Sequence, residues 1–276
     1  MQAADVVIVG AARTPIGKYG GGLRGVHPTE LGAVAAKAAL SRAGVDPTSV
    51  DEVWFGHARQ AGSGPNPARQ IGHRAGLPHT VPAQTVNKAC ASGLQAIASG
   101  AQAITLGEAE VVLVGGIESM SRMPYLIDAE AARWGHRMGN VELVDAMYRD
   151  GFSCPLSDLL MGETAEVLAR QYGISRDESD AYALESQQRA ETAMAAGRFD
   201  AEIVPVGITD RKGRVTTVSR DEHPRAGATL ESLQKLEPVF GEVEGHAGII
   251  TAGSASGITD GGAALVLMSA SRATQL

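Results

Sequence analysis

The stretch from Val81 to Gly107 constrains the fold more than any other part of the chain. Residues 83–86 are short, favour β-structure and follow a proline, which indicates a strand. Residues 94–104 place leucine, isoleucine and alanine three or four positions apart, which is the periodicity of a helix. Cys90 therefore lies where a strand ends and a helix begins. Helix N-termini carry unpaired N–H groups and partial positive charge, which favour a thiolate, so Cys90 is a candidate nucleophile.

A second interpretation of Cys90 stays open on spacing alone. A lone cysteine in an apolar segment is commonly a small buried hydrophobic residue without chemistry. The neighbours Ala89, Ala91, Ser92 and Gly93 are small and would let a substrate approach the sulfur. Cys154, the other cysteine, carries no reactivity signature and is predicted to be structural or at the surface.

The order of the predicted elements indicates an α/β fold. Apolar runs separated by helical patterns predict a mixed, mostly parallel five-stranded sheet between helices. The predicted strands of this sheet are 5–10, 52–56, 83–86, 110–114 and 263–268. The intervening segment combines predicted helices at 162–172 and 176–196 with short strands at 203–206 and 214–218. We therefore predict one α/β domain formed by 1–118 and 251–276, with an inserted α+β loop domain at 119–250.

Composition excludes several classes of protein. A formal charge of −7 and a pI near 5.5 argue against a nucleic-acid partner. Two cysteines without a CxxC pair, and seven histidines without i,i+4 spacing, predict neither a disulfide framework nor a metal site. No apolar run approaches the roughly 20 residues that a membrane span needs, and no signal peptide is recognised. We expect a cytoplasmic protein with no membrane association.

Three glycines near the N-terminus are spaced like those of a nucleotide-binding loop. Gly20-x-Gly22-x-x-Gly25 has the spacing of the dinucleotide pattern. In that pattern the first glycine follows a strand immediately, whereas here many residues and Pro15 separate it from the strand. The nucleotide-binding interpretation is therefore rejected.

The string VNKACASG at 86–93 resembles the active-site signature of the thiolases, which condense or cleave acyl-CoA thioesters. The resemblance covers nearly the whole chain in family order. The other matching segments are ARTPIGKYGGGL (12–23), GGIESMSRMPY (115–125), MGETAE (161–166), GRFDAEIVPV (197–206), RAGATLESLQKLEPVF (225–240) and ITAGSASGITDGGAALVLMS (250–269).

The resemblance implies a thiolase-like N-terminal α/β domain and acetyl-CoA C-acyltransferase chemistry. Cys90 matches the nucleophile that accepts the acyl group in a ping-pong reaction, and its N–H matches an oxyanion-hole donor. Coenzyme A and acyl-CoA are then substrates, and no permanently bound cofactor is expected. The binding positions carried over are Met161 beside the acyl pocket, Arg225 and Ser232 at the nucleotide end, and Ala252 and Ser256 along the pantetheine arm. Without the resemblance these five would be interpreted as ordinary loop residues.

Three departures from the family pattern concern substrate choice and positioning. Leu160 stands where short-chain biosynthetic members carry a histidine, which leaves a degradative 3-ketoacyl-CoA thiolase as an alternative. Ser254 and Thr259 stand where asparagine is common. A homodimer or homotetramer is implied by the resemblance.

The family's C-terminal catalytic segments find no match in the sequence. The resemblance therefore implies that this half is absent and that the isolated chain is a poor or inactive thiolase. A separate C-terminal half is then an expected partner. Two further alternatives remain: a non-catalytic acyl-CoA-binding or assembly protein, and a chain whose Cys90 is inert and which only associates with its own kind.

Overall fold

The computed structural model describes residues 5–276 and divides into two compact units. Unit 1 contains the chain up to Met123, Ala201–Glu222 and Ile258–Leu276, and unit 2 contains Pro124–Asp200 and His223–Gly257. These boundaries differ from the predicted ones at 119–123, 201–222 and 251–257. Backbone bonds explain the largest difference, because Val204 N donates to Arg13 O at 2.7 Å and ties the segment after 200 to unit 1.

Unit 1 holds the main sheet and its helices. Its elements are β1 Val6–Arg13, β2 Gly17–Lys18, α1 Pro28–Ala43, β3 Glu52–Gly56, α2 Pro67–Ala75, β4 Ala83–Val86, α3 Ser92–Leu106, β5 Val111–Ser119, β10 Val206–Thr209, β11 Val215–Val218, β14 Thr259–Ser269 and α8 Ala270–Gln275.

Unit 2 combines helices with short two-stranded ladders. Its elements are β6 Tyr125–Ile127, α4 Ala129–Trp134, β7 Leu143–Asp145, β8 Ser153–Cys154, β9 Leu159–Leu160, α5 Met161–Tyr172, α6 Arg176–Ala195, α7 Leu230–Gln234, β12 Glu242–Val243 and β13 His246–Ala247. Within residues 5–276, no helix is long and apolar enough to cross a membrane.

The main sheet has the strand order β1-β14-β5-β3-β4, with β2 paired to β14. β3 runs parallel to β4 and β5, whereas β14 runs antiparallel to both β1 and β5. Four of the five long strands of the described chain therefore point one way, and the predicted mixed α/β architecture is confirmed. The predicted count of five omitted β2, which is too short to leave a sequence pattern.

Helices cover both faces of this sheet because successive residues of its central strand are buried on opposite sides. Val111 and Leu113 of β5 belong to the core that includes α1 and α2. Val112 and Val114 belong to a second core that includes α3. The continuous apolar run of β5 thus places the Cys90 helix firmly on one face of the sheet.

Two predicted strands have different bounds in the structure. β5 was expected to end before Gly115, yet it continues to Ser119. A Cβ at Gly115 would overlap the Ala263 carbonyl oxygen and the Phe55 ring, so glycine is what lets the strand pass its neighbours. The strand predicted at 203–206 lies instead at Val206–Thr209, and Ile203 makes an isolated bridge to Arg13.

The glycine-rich loop after β1 binds a carboxylate of its own chain. Glu222 accepts hydrogen bonds from the N–H groups of Lys18 and Gly22, each at 3.1 Å. A Cβ at Gly22 would lie 2.8 Å from Glu222 Oε1, so the close approach requires glycine. Two backbone N–H groups of this loop are thus bound by a carboxylate of the same chain.

Candidate active site

Cys90 lies between β4 and α3 and its side chain is exposed. α3 begins at Ser92, and its N-cap residue Ala91 supplies no side-chain hydrogen bond to the helix end. The N-terminal N–H groups of α3 are therefore not capped by a side chain at that position. The predicted placement of Cys90 at a strand–helix junction agrees with this geometry.

The turn that carries Cys90 is held by side-chain hydrogen bonds. Ala89 has φ +48°, a left-handed conformation that residues with a Cβ rarely adopt. The Ala89 N–H donates to Asn87 Oδ1 at 3.0 Å. Ser92 Oγ accepts from the Lys88 N–H at 2.9 Å and donates to the Ala89 carbonyl oxygen at 2.5 Å. Such strain persists only where the surroundings enforce it, and here Asn87 and Ser92 do so.

Glycines bring the N-terminus of α3 directly onto the sheet. A Cβ at Gly56, the last residue of β3, would overlap the carbonyl carbon of Ser92 and the nitrogen of Gly93. A Cβ at Gly116 would lie 3.3 Å from Gly93 Cα. The ends of β3 and β5 thus support the residues that follow Cys90 with no side chain between them.

An open cavity of about 420 Å³ adjoins Cys90 within unit 1. It is walled by residues from the strand ends and from the turn. The lining comprises Arg13, Thr14, Ile16, Gly56, Ala58, Arg59, Ala89, Cys90, Ser92, Gly93, Gly116, Ile117, Glu118 and residues 259–263. A volume of this size lies within the usual range for small-molecule sites.

Acidic side chains in the cavity wall are bound to backbone groups. Asp260 is buried, and its Oδ1 accepts from the Ser121 N–H at 2.9 Å. Glu118 Oε2 accepts from the N–H groups of Ala58 and Arg59 at 3.2 and 3.3 Å. These bonds use the carboxylates to fix loops around the cavity, not to hold a cation. Among residues 5–276, no group of three or more His, Cys, Asp or Glu side chains is arranged to hold a metal ion.

A buried histidine lies behind Glu118. His57 Nε2 is 3.0 Å from Glu118 Oε1, but the atoms are not aligned for a hydrogen bond. Within the described residues neither ring nitrogen of His57 has a hydrogen-bond partner. We therefore interpret this pair as a close contact without a hydrogen bond, in which His57 supports the cavity wall.

The five binding residues predicted from the resemblance lie in unit 2. All of them are exposed: Met161, Arg225, Ser232, Ala252 and Ser256. Met161 opens α5, and Arg225 donates its backbone N–H to Gln187 Oε1 at 2.8 Å. Ser232 Oγ donates to the Thr229 carbonyl oxygen at 2.7 Å as part of a capping box on α7. The hydroxyl of Ser232 thus has a structural role besides the predicted one.

The loop that contains Ala252 and Ser256 is built around two hydroxyl groups. Ser254 Oγ accepts from the Thr251 N–H at 3.0 Å, and Thr251 Oγ1 accepts from the Gly253 N–H at 3.1 Å. Serine at 254, where the family commonly has asparagine, is therefore sufficient to close this turn.

Unit 2 has its own cavity of about 570 Å³ between α5, α6 and this loop. Gly253 and Ser254 contribute to its lining together with Leu168, Tyr182 and Ile250. In the described chain, none of the five predicted binding residues lines it. The predicted positions are thus brought onto one unit but not into one cavity.

The sequence predicted Cys90 as the nucleophile but gave no role to the residues that hold its turn. Asn87 and Glu118 lie inside matched motifs, yet no role was assigned to either. An asparagine two residues before a small residue is a signal for local side-chain bonding to the backbone, and it could have pointed to Asn87. No comparable local signal exists for Glu118, because its partners lie 59 and 60 positions away.

Comparisons with known proteins agree on one family. The chain matches the family model described as thiolase, N-terminal domain, over residues 6–271. An acetyl-CoA acetyltransferase of Cupriavidus necator is 51% identical over 272 residues, which are 99% of this chain and 68% of that protein. Among solved structures, an acetyl-CoA acetyltransferase from Syntrophomonas wolfei has a TM-score of 0.92 at 46% identity, covering 99% of this chain and 66% of that one.

A solved structure with a different named activity aligns nearly as well. Human mitochondrial 3-ketoacyl-CoA thiolase has a TM-score of 0.91 at 42% identity, covering 100% of this chain and 68% of that one. The chain thus spans about two thirds of the length of the relatives that it matches.

Proposed function

Because the chain belongs to the thiolase family, we propose that it is an acyltransferase which moves acyl groups between thioesters through an acyl-Cys90 intermediate. The observation that carries the proposal is the exposed Cys90 on a strained turn at the N-terminus of α3, beside an open cavity. The relatives named acetyl-CoA acetyltransferase support acetyl-CoA as the substrate.

The chemistry requires a thiolate and a donor for the developing oxyanion. The Cys90 thiolate attacks the carbonyl carbon of acetyl-CoA and forms a C–S bond. The carbon becomes tetrahedral, and its oxygen becomes an oxyanion. Collapse of this intermediate breaks the bond to coenzyme A, whose thiolate takes a proton from solvent. A second substrate then receives the acetyl group from Cys90.

The backbone around Cys90 supports this role. The N–H groups of Ala91 and Ser92 are bonded within the turn, to Lys88 O and Ala89 O. The N–H of Cys90 donates no hydrogen bond to any residue in the described range 5–276. A free donor next to the nucleophile is what an oxyanion needs, and we assign that role to the Cys90 N–H.

Unit 2 supplies the proposed binding surface for coenzyme A. Met161, Arg225, Ser232, Ala252 and Ser256 are exposed and remain our candidates. The guanidinium of Arg225 makes no ion pair within the described residues, and its planar donors suit a phosphate or a stacked adenine. Coenzyme A enters here as a substrate and not as a resident cofactor.

We also propose that the chain forms a homodimer or homotetramer in the cytoplasm. β4 is an edge strand of the main sheet, and its open edge can pair with another strand. Size-exclusion chromatography with light scattering tests the assembly, and cell fractionation tests the location.

Intact mass after incubation with acetyl-CoA tests the acyl-transfer proposal. We expect one acetyl adduct on the parent chain and on Cys154→Ala, and none on Cys90→Ala. An adduct that survives in Cys90→Ala, or its absence from a parent chain that binds coenzyme A, would overturn it. The second result would favour a non-catalytic acyl-CoA-binding protein.

A degradative 3-ketoacyl-CoA thiolase is the second candidate. Leu160 precedes Met161 at the start of α5 and supplies an apolar side chain where a histidine would favour short substrates. Likeness to human mitochondrial 3-ketoacyl-CoA thiolase supports it. Adduct formation with acyl-CoA of increasing chain length separates the two, since a preference for chains beyond butyryl favours this candidate.

A further inference from the structure

We propose that Asn87 and Glu118 are positioning residues that hold the Cys90 backbone in the conformation that receives an oxyanion. The inference rests on the proposed function, since it concerns the same nucleophile. It assigns roles to two side chains that do not react themselves.

Asn87 joins the Cys90 turn to a neighbouring loop. Its Oδ1 accepts from the Ala89 N–H at 3.0 Å, and its Nδ2 donates to the Ala58 carbonyl oxygen at 2.9 Å. The first bond acts on the one residue of the turn with a strained φ of +48°. A left-handed conformation is unfavourable for alanine and persists only when neighbouring bonds enforce it.

Glu118 fixes the loop that contains Ala58, whose carbonyl oxygen accepts from Asn87. Its Oε2 accepts from the N–H groups of Ala58 and Arg59, on the other side of the same peptide segment. The backbone N–H of His57 is bonded in turn to Val86 O at 3.0 Å, beside Asn87. The carboxylate is therefore connected to the strained turn by three hydrogen bonds, between Glu118 and Ala58, between Ala58 and Asn87, and between Asn87 and Ala89.

This chain of bonds sets the direction of the Cys90 N–H. The peptide that joins Ala89 to Cys90 carries that N–H, so a change of the Ala89 backbone angles rotates the donor. The reactivity of the Cys90 thiolate can then be measured separately from the stabilisation of the oxyanion. Loss of the Asn87 bonds misdirects the donor, while the sulfur stays exposed at the helix N-terminus.

Two reactions at the same sulfur measure the two properties. Acylation by p-nitrophenyl acetate passes through a tetrahedral oxyanion: the Cys90 sulfur bonds to the carbonyl carbon and p-nitrophenolate leaves. Alkylation by iodoacetamide displaces iodide in one step and forms no oxyanion. The readout is the rate of acylation at Cys90 divided by the rate of its alkylation. Both rates are followed by peptide mass spectrometry, with Cys154 as the reference thiol.

We expect Asn87→Ala to lower this ratio about tenfold, less than the loss caused by removing an oxyanion donor outright. The rates at Cys154 stay unchanged. Asn87→Asp keeps the acceptor for the Ala89 N–H but loses the donor to Ala58, and we expect an intermediate ratio. Glu118→Ala lowers the ratio as well, whereas Glu118→Gln, which retains an acceptor oxygen, restores most of it.

Asn66→Ala is the matched control. Asn66 is also exposed, lies at φ +41°, donates to Ala83 O at 2.8 Å and accepts from the Arg69 N–H at 3.2 Å. Like Asn87 it donates to one carbonyl oxygen and accepts from one backbone N–H, and it also accepts from Thr85 Oγ1 at 2.9 Å, but none of these bonds reaches residues 87–92 of the Cys90 turn. Its removal is expected to leave the ratio at Cys90 within twofold.

Equal changes of both rates in Asn87→Ala and Glu118→Ala, or no change in either, would overturn the inference. So would a parent chain whose Cys90 is acylated no faster than Cys154. The proposed function fails in a different way, when acetyl-CoA leaves no adduct although p-nitrophenyl acetate still acylates Cys90 in an Asn87-dependent manner.

Discussion

The two cysteines of this chain occupy contrasting settings. Cys90, in unit 1, sits on a turn that glycines and the asparagine side chain hold against the main sheet. Cys154, in unit 2, lies in the two-residue strand β8, and bonds from the Ser157 hydroxyl and from the N–H groups of Leu156 and Ser157 lower the pKa of its thiol. Cys90 adjoins the 420 Å³ cavity, whereas Cys154 is not among the residues that line the 570 Å³ cavity of its own unit.

This contrast distinguishes two requirements for a reactive cysteine, which are the ionisation of its thiol and its placement beside a substrate site. Hydrogen bonds to the sulfur lower the pKa of a thiol, as those from Ser157 and Leu156 do at Cys154. Acyl transfer also needs space for the substrate and a donor for the oxyanion. At Cys90 the start of α3 packs directly on the strand ends through residues that lack side chains. The following predictions test how strictly that arrangement is required.

Gly56→Ala should have the largest effect. The new methyl group would overlap the backbone of Ser92 and Gly93, which cannot move without displacing α3 from the sheet. We expect a loss of about 3 kcal/mol in the free energy of unfolding, measured by urea titration, since forced overpacking costs that much.

Gly25→Ala provides the control for that substitution. A Cβ at Gly25 has open space around it, and its φ is not in the left-handed region. We expect its free energy of unfolding to stay within about 0.5 kcal/mol of the parent chain. If Gly56→Ala is as stable as Gly25→Ala, the close packing beneath Cys90 is not what fixes the turn.

Only the local elements on either side of Cys90 could be predicted from the sequence. The strand at 83–86 and the helix after Cys90 follow from residue spacing, and they agree with β4 and α3. The continuation of β5 through Gly115 could not be foreseen, because glycine ordinarily weakens a strand. Its reason is a neighbour 148 positions away, Ala263, whose carbonyl occupies the space of the missing side chain.

Residues 201–222 were predicted to lie in the inserted domain for the same reason, since long-range contacts leave no local pattern in the sequence. Their short strands and loops carry no periodicity that distinguishes one unit from another. They belong to unit 1 through pairings with its first strand, including the 2.7 Å contact from Arg13 to Asp221. Asn87 and Glu118 were missed for a related reason, since their importance lies in which backbone groups they reach.

Glu166→Gln tests unit 2, and we expect a smaller effect than at Gly56. The buried carboxylate of Glu166 accepts from the N–H groups of Ile249 and Ile250 at 2.7 to 2.9 Å, which anchors the segment before the Ala252 loop. An amide accepts through one oxygen and presents N–H groups to the other donors. We expect a loss of about 2 kcal/mol in the free energy of unfolding, typical of bonds to a charged group.

Glu185→Gln is the comparison for that result. Glu185 forms an exposed ion pair with Arg189 one helical turn away, and such pairs contribute about 0.5 kcal/mol or less. Equal losses in the two variants would show that the Glu166 carboxylate does not anchor the loop segment.

Ser175→Ala should have a smaller, pH-dependent effect. Bonds from the Ser175 N–H and hydroxyl at the start of α6 hold the pKa of Glu178 below its ordinary value. A lowered folded-state pKa contributes stability that is fully present above the unfolded-state pKa, about 4.3, and is lost as pH falls through the folded value. The substitution removes the hydroxyl bond, so we expect the Glu178 pKa to rise and the acid-induced loss of stability to shrink.

Carboxyl titration by NMR measures this change, with Asp46 as the internal reference. The Thr48 hydroxyl and N–H lower the pKa of Asp46 in unit 1, so its value should be the same in both proteins. An unchanged Glu178 titration in Ser175→Ala would contradict the prediction.

Ser157→Ala has the smallest expected effect and bears directly on the contrast between the cysteines. Loss of the hydroxyl bond raises the pKa of Cys154 toward its ordinary value, so alkylation of Cys154 by iodoacetamide should slow at neutral pH and its pH profile should move upward. Cys90, measured in the same digest, serves as the reference and should keep its profile. A Cys154 profile that does not move would mean that Ser157 does not stabilise this thiolate. The two cysteines would then differ in their access to a cavity and an oxyanion donor, and placement alone would account for the reactivity proposed for Cys90.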